Sequence, residues 1–233
     1  ISLHQKGINI EAIIDNREEI ESKLIREIEK NKIKVYKGYT VVNTSGYKRI
    51  KSVSIMQLSK DGQKVIGTKK TISCDCLGVS GGWTPAVHLF TQSGGKLKFR
   101  DEDQVFIPNI YPSDQISIGS CNGDFTLDEI LSNTIKILKD FLNIKITDYD
   151  NIEVQSSFNK SKRNIWLLPS DKVIGKTKSF VDYQNDATAK DIKLALREGF
   201  RSIEHVKRYT TTGMGTDQGK LGNMHALGII SET

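Results

Sequence analysis

The sequence predicts an α/β chain that ends in a small helical domain. Three observations predict it. A strand, a helix and a series of short β runs occupy residues 8–74. A turn of small residues at 119–123 leads into a long amphipathic helix. Residues 180–220 read as two short amphipathic helices and a glycine-rich turn. These elements divide the chain into 1–70, 71–148, a linker over 149–177 and a helical domain over 178–233.

Residues 8–15, INIEAIID, form the first strand and end in the carboxylate of Asp15. Residues 17–30 follow as a helix, with Ile20, Leu24 and Ile28 on one stripe and Glu19 and Lys23 as a supporting pair. The runs VYKG, TVVNT, SVSIMQL and KVIGTKKTISC read as strands, with Asp61-Gly62 as a hairpin signal. Strand, helix and meander match the second part of a Rossmann-type nucleotide-binding module. The glycine-rich turn that opens such a module is expected upstream of residue 1.

Residues 71–148 read as the returning C-terminal half of a second nucleotide domain. One strand leads to Ser80-Gly81-Gly82-Trp83, with Pro85 after it. Another, around Ile116–Ile118, runs into Gly119-Ser120-Cys121-Asn122-Gly123. The helix beyond turns Leu127, Ile130, Leu131, Thr134, Ile135 and Leu138 inward. Residues 149–170 are a polar connection containing Trp166 and Pro169. In the helical domain Thr188 is the N-cap of the first helix, with Asp191 three residues on as an aspartate version of the capping box. Ile192, Ala195, Leu196 and Gly199 share its inner face. The second helix opens at Ser202, repeats Ile203, Val206 and Thr210, and stops at Gly213. The turn GMGTDQGK then feeds a third segment with Met224, Ala226 and Leu227.

A net charge of +6 comes largely from scattered lysines, with no clustered basic face. Together with the lack of a nucleic-acid motif, this reads as a solvated surface and no nucleic-acid partner. Three cysteines, Cys74, Cys76 and Cys121, do not build a disulfide framework. No apolar run is long enough to span a bilayer, and no signal-peptide pattern opens the chain. The expectation is no membrane partner and a cytoplasmic location.

Small residues at 119–123 let the backbone approach a ligand, and N–H groups at a helix start attract phosphate. The other reading of this segment is a plain strand-to-helix turn. Asp15 is either a ribose-binding carboxylate or a solvated strand-end acid. Cys74 and Cys76 share one strand face, but no second cysteine pair completes a metal site, so they read as two small buried residues. Cys121 reads as a small residue of the turn. His88, His205 and His225 are scattered and have no nucleophile elbow or matched acid. Asp217 reads as a cap for the following helix.

The order of elements in FVDYQNDATAKDIKLALREGFRSIEHVKRYTTTGMGTDQGK, residues 180–220, resembles the small helical domain that binds a 2Fe-2S cluster in many flavoproteins. Asp182, Gln184, Asp217 and Gly222 stand where that domain carries its four cysteines. None of these is the soft thiolate that an iron–sulfur cluster requires. This cysteine-free version is similar to the alpha subunits of heterotetrameric sarcosine oxidases. CDCLGVSGGWTPAVHLFTQSGG, residues 74–95, and GSCNGDFTLDEIL, residues 119–131, resemble the same family. The fold implied is a partial two-dinucleotide-binding-domain, disulfide-reductase-like region. A small domain like a 2Fe-2S-binding domain without its cysteines follows it.

The resemblance implies an internal segment of such a subunit. The turn would face the diphosphate of a dinucleotide through Gly119, Ser120 and Gly123, with Phe125 and Leu127 near the ligand's other end. Flavin-binding relatives place Asp after the first glycine; Ser120 favours NAD over FAD here. The implied assembly oxidises sarcosine to glycine, transfers the carbon to tetrahydrofolate and forms hydrogen peroxide. It uses FAD, FMN and tetrahydrofolate elsewhere, and its beta, gamma and delta subunits are the implied partners. No residue of this segment is expected to make or break bonds; its roles are NAD binding and subunit contact. Three alternatives stay open. One is the alpha-type subunit of a related secondary-amine dehydrogenase, such as N-methylglutamate dehydrogenase. Another is a free-standing NAD(P)H-dependent reductase. The third is a DNA-binding helix–turn–helix at 188–212 presenting Glu204, His205, Lys207 and Arg208.

Overall fold

The structure is a computed structural model that describes residues 1–20, 23–112, 114–143, 165–172 and 176–233. The linker expected over 149–164 and 173–175 lies outside the described residues. The chain divides into two units. The first comprises Ile1–Glu19, Ile33–Leu77 and Ile165–Thr233, and the second Ile20–Lys32 and Gly78–Asn164.

The first unit opens with a short helix, α1 (Ser2–Gln5), and the strand β1 (Ala12–Asp15). β1 pairs in parallel with β2 (Lys34–Lys37), Asp15 opposite Lys37. A parallel pair needs a crossover connection, and the sequence between the two strands supplies one. Gly38, in a left-handed conformation at φ +69°, turns the chain out of β2. Its N–H donates to Arg17 O at 2.9 Å, and its carbonyl accepts from Leu58 N at 2.8 Å. An antiparallel meander follows: β3 (Tyr39–Gly46), β4 (Ile50–Leu58) and β5 (Val65–Ser73), in that spatial order. The Asp61-Gly62 turn joins β4 to β5, with Gly62 at φ +69° as the hairpin signal requires. The central strand β4 buries Val53, Ile55, Met56 and Leu58. The edge strand β5 stays largely exposed and carries Lys69 and Lys70, charges that discourage edge-to-edge pairing.

The helical part of this unit begins with a small antiparallel pair, β8 (Phe180–Asp182) and β9 (Ala187–Thr188). Helix α5 (Ala189–Arg197) starts as the sequence indicates. Thr188 accepts from Asp191 N, and Asp191 reaches back to Thr188 N at 2.9 Å. Helix α6 (Ile203–Thr210) has Ser202 as its N-cap residue without a side-chain cap bond. It ends before Gly213, because Thr211 already takes the left-handed conformation at φ +57°. Helix α7 (Asn223–Ser231) completes the bundle. Val181, Ala189, Ile192, Ala195, Val206, Ala226 and Ile229 form its core. Fully burying a side chain such as Ile192 contributes about 1.5–3 kcal/mol. Gly199, expected on the inner face of α5, is exposed beyond the helix end at φ +95°. Trp166 and Leu167 pack against this core, so this part of the expected linker belongs to the helical bundle's packing.

In the second unit α2 (Lys23–Lys30) buries Ile28, while Leu24, expected on the same stripe, is 47% exposed. Residues 74–87 are irregular, where a strand was expected before the Ser80–Trp83 segment. Two elements were not anticipated: α3 (His88–Gln92) and the hairpin of β6 (Lys96–Arg100) with β7 (Val105–Ile110). The strand expected at Ile116–Ile118 is absent; residues 114–118 run without pairing into a 3-10 turn over Gly119–Asn122. Helix α4 (Leu127–Leu142) follows, its start set by the capping box of Thr126 and Glu129.

A side chain at Gly228 in α7 would meet Trp166 Cδ2 at 2.1 Å. The helix propensity of alanine favours Gly228→Ala by about 1 kcal/mol. The collision with a core-packed indole is larger, at about 1–3 kcal/mol. Gly228→Ala should therefore lower the melting temperature and shift the Trp166 emission, read by thermal unfolding and tryptophan fluorescence.

Candidate functional site

Two places gather the residues singled out by the sequence. The first is the turn Gly119–Asn122 and its exit at Gly123. Gly119 is buried at φ +75° and Gly123 is buried at φ +88°, both left-handed. Such angles are nearly free for glycine and strained for other residues. A Cβ at Gly119 would meet only Ile130 Cγ2, at 3.6 Å, so this glycine is required for its angle rather than for space. Gly123 is required for both. A Cβ there would lie 2.7 Å from Ile107 Cγ2 and 2.9 Å from Arg100 Nη2.

Arg100 fixes the exit of this turn. Its Nη2 donates to Gly123 O at 2.7 Å, and its Nε donates to Asp103 Oδ1 at 2.8 Å within a two-pronged ion pair. Ser120 is exposed, Phe125 is half-buried and Leu127 is 55% exposed rather than turned inward. Cys121 donates to Ile118 O at 3.0 Å. The start of α4 is partly self-satisfied: Thr126 Oγ1 accepts from Glu129 N, and Glu129 Oε2 accepts from Thr126 N. A bound phosphate would therefore depend on the backbone of the turn more than on the helix end. The Thr126-x-x-Glu129 spacing was the sequence signal for this cap.

The second place is the apposed pair of loops 181–186 and 211–222 in the helical bundle. Asp182 is 6% exposed and lies at its centre. Its Oδ1 accepts from Gln184 N at 2.8 Å and Asn185 N at 3.1 Å. Its Oδ2 accepts from Asn185 Nδ2 at 3.1 Å and from Gly213 N at 2.7 Å. Burial alone would raise the Asp182 pKa. The hydrogen bonds from Gly213, Asn185 and Gln184 outweigh it and hold the carboxyl below its usual value. Gln184 reaches the same turn, its Oε1 accepting from Thr216 Oγ1 at 3.1 Å. Gly215 leaves the space that this side chain fills. Gly222 packs on the backbone, where a Cβ would stand 2.7 Å from Val181 O. Asp217 accepts from Gly219 N at 3.2 Å and so closes its own turn; the N-cap of α7 is Gly222, not Asp217.

The other candidates are placed apart from these. Asp15 is not a free strand-end acid. Arg17 binds it through Nε at 3.0 Å, Nη2 at 2.7 Å and its backbone N–H at 2.9 Å. Burial raises the Asp15 pKa, and the bonds and charge of Arg17 bring it below its usual value. Cys74 is half-buried and Cys76 exposed, which corrects the expectation of two buried residues; no cysteine is in a disulfide. His88 and His205 are exposed, and His225 pairs with Leu221 O and lies edge-on to Trp166. Among the described residues no group of three or more His, Cys, Asp or Glu side chains could hold a metal ion. Among them, too, no helix is long and apolar enough to cross a membrane.

Residues 176–233 match the sarcosine oxidase A3 domain. Over 99% of its length the chain is 31% identical to the sarcosine oxidase subunit alpha of Rhizobium meliloti (strain 1021), covering 22% of that protein. Over 94% of its length it is 29% identical to the sarcosine oxidase subunit alpha of Corynebacterium sp. (strain U-96), covering 23% of it. The chain thus spans about a fifth of the length of the curated relatives it matches. Among solved structures it resembles L-proline dehydrogenase from P. horikoshii, with a TM-score of 0.58 and 20% identity. That match covers 95% of this chain and 44% of the other, and indicates a shared mixed α/β fold.

Two substitutions test the geometry. Asp182→Ala removes an acceptor of charge-assisted bonds from both loops and should cost about 2–3 kcal/mol at neutral pH. Asp182 and Asp191 both have folded pKa values below the ordinary carboxylate range. The stability they contribute is complete above the unfolded value of about 3.9 and is lost as pH falls through the folded values. Denaturant unfolding at pH 7 and pH 3 should show a smaller acid loss in Asp182→Ala than in the parent. Gly123→Val should destabilise the second unit by at least 1–3 kcal/mol with no ligand present. Thermal unfolding of the nucleotide-free protein is the check.

Proposed function

We propose that this chain, a relative of sarcosine oxidase alpha subunits along nearly all of its length, serves as the dinucleotide-holding and subunit-contacting part of such an oxidoreductase. The reaction would be the oxidative demethylation of sarcosine to glycine, with carbon transfer to tetrahydrofolate and formation of hydrogen peroxide. The beta, gamma and delta subunits would be its partners, in a cytoplasmic heterotetramer. FAD, FMN and tetrahydrofolate would act elsewhere in that assembly.

The observation that carries the local reading is the turn at 119–123, with a left-handed glycine at each end immediately before a capped helix. The residues present fit a dinucleotide there. A Cβ at Gly119 would make only ordinary contact, with Ile130 Cγ2 at 3.6 Å, and the exposed Ser120 adds no charge that would repel a diphosphate. NAD is the proposed ligand, held by Gly119, Ser120 and Gly123, with Phe125 and Leu127 near its other end. When bound, the nucleotide would bring the two negative charges of its diphosphate to this turn; this chain's residues would bind and orient it. The chain supplies none of the bond-making groups.

The helical bundle is proposed to be a cluster-free counterpart of a 2Fe-2S domain. The support is chemical. Asp182, Gln184, Asp217 and Gly222 present no thiolate, and the first three are engaged in hydrogen bonds of their own. Denaturing the purified full-length protein and identifying the released nucleotide by mass spectrometry tests the NAD reading. Stoichiometric NAD is expected. Stoichiometric FAD in its place would overturn the assignment of this turn.

A further inference from the structure

We infer that Tyr111 is a positioning residue for the dinucleotide-binding turn, its hydroxyl holding the exit of the turn at Asn122. The inference rests on the reading that Gly119–Gly123 holds NAD. Tyr111 follows directly on β7, and its hydroxyl donates to Asn122 Oδ1 at 3.1 Å. Asn122 stands one residue before Gly123, whose left-handed conformation ends the turn.

The ring is itself held in place. It meets Phe90 edge to face, with centroids 5.0 Å apart and planes at 68°. Phe90 is 3% exposed and sits so close to Gly95 that a Cβ there would lie 2.4 Å from the ring. A buried, crowded phenylalanine thus fixes the tyrosine, and the tyrosine fixes the turn. Burial, first, and the neighbouring Cys121 and Asp124 push the phenol above its ordinary pKa, while Ser117 works against them. The hydroxyl therefore keeps its proton at neutral pH and remains a donor to Asn122.

Arg100 constrains the same turn from another side through Gly123 O, but it also carries the ion pair to Asp103. Removing Arg100 would damage the hairpin. Removing the Tyr111 hydroxyl leaves the ring and its contact with Phe90. A turn held at its exit keeps its conformation before binding and loses less entropy when a diphosphate binds. This is what separates a positioning role from a purely structural one.

The test uses the full-length protein stripped of nucleotide and titrated with NAD by calorimetry. Tyr111→Phe, Asn122→Ala and the double variant are compared with the parent, alongside melting temperatures measured without NAD. Each single variant should weaken NAD about fivefold, the effect of one ordinary hydrogen bond. The double variant should be no weaker than the weaker single one, because both remove the same bond. Unchanged NAD affinity in Tyr111→Phe, whatever its melting temperature, overturns the inference. Losses that add in the double variant overturn the route through Asn122. Should Tyr111→Phe fail to fold, Asn122→Ala carries the same comparison, since it keeps the phenol and removes its acceptor. If the parent itself does not bind NAD, the underlying assignment of the turn falls. That result is distinct from a parent that binds and a variant that binds equally well.

Discussion

The helical bundle depends on one carboxylate. Asp182 stands at the end of β8 and collects donors from its own loop and from Gly213, which is 31 residues further along the chain. Without an acceptor there, buried N–H groups from two segments would lose their partners at once. The bond to Gly213 sets where the chain turns after α6. The contact of Gly222 with Val181 O sets where α7 begins. Those two placements bring Ile229 and Ala226 of α7 against Ile192 and Ala195 of α5. The hydrophobic core supplies most of the stabilising area, but the carboxylate specifies the register in which that area is buried. Such a charge survives burial because four hydrogen bonds favour its ionised form more strongly than desolvation opposes it.

The second unit solves a related problem with different means. Its turn at 119–123 must pass through two left-handed residues within five positions. Glycine makes that conformation accessible, but it does not make it unique. Uniqueness comes from outside the turn. Arg100 holds the carbonyl of Gly123, Tyr111 holds Asn122, and the capping box fixes the first residues of α4. The close approach of Gly123 to Ile107 shows that this glycine answers to packing as well as to any ligand. Its occurrence next to a helix is therefore weaker evidence for phosphate binding than the paired geometry of Gly119 and Gly123.

Local chemistry was legible in the sequence. The Thr188–Asp191 cap, the Asp61-Gly62 hairpin and the meander it closes all rest on residues within a few positions of one another. The 3.6-residue pattern placed Ile192, Ala195 and Val206 in the core. What failed to show had one of two causes. Some turns use residues that carry no turn signal: Gln104 takes φ +55° between β6 and β7, and Thr211 takes φ +57° at the end of α6. The hairpin was missed, and the end of α6 was placed too late, for this reason. Periodicity also names a face without saying whether anything covers it, which is why Leu24 and Leu127 are exposed. The role of Asp182 lay beyond any local reading, since its decisive partner is set by the tertiary fold. The same holds for Tyr111 and the turn eight to twelve residues after it.

The four positions that the sequence resemblance places at cluster ligands are not equivalent. A metal cluster needs ligands of one kind converging on a common centre. Here Asp182 binds across the two loops, Gln184 binds across them to a different residue, and Asp217 bonds only within its own turn. Gly222 has no side chain, and the backbone of Val181 occupies the space where one would begin. Placing cysteine at 222 in this geometry would force the carbonyl of Val181 aside before any sulfur could reach a metal. The loops have therefore closed on one another. A covalent or metal crosslink would hold them at a distance set by the metal. A carboxylate and two close-packed glycines hold them at hydrogen-bond distance, and the exposed side chains of Tyr183, Met214 and Leu221 project from that closed end. Cysteines introduced one at a time would meet this close loop packing as well as lack partner ligands, so the side-chain chemistry of these positions and the packing of the loops belong to a single structural solution.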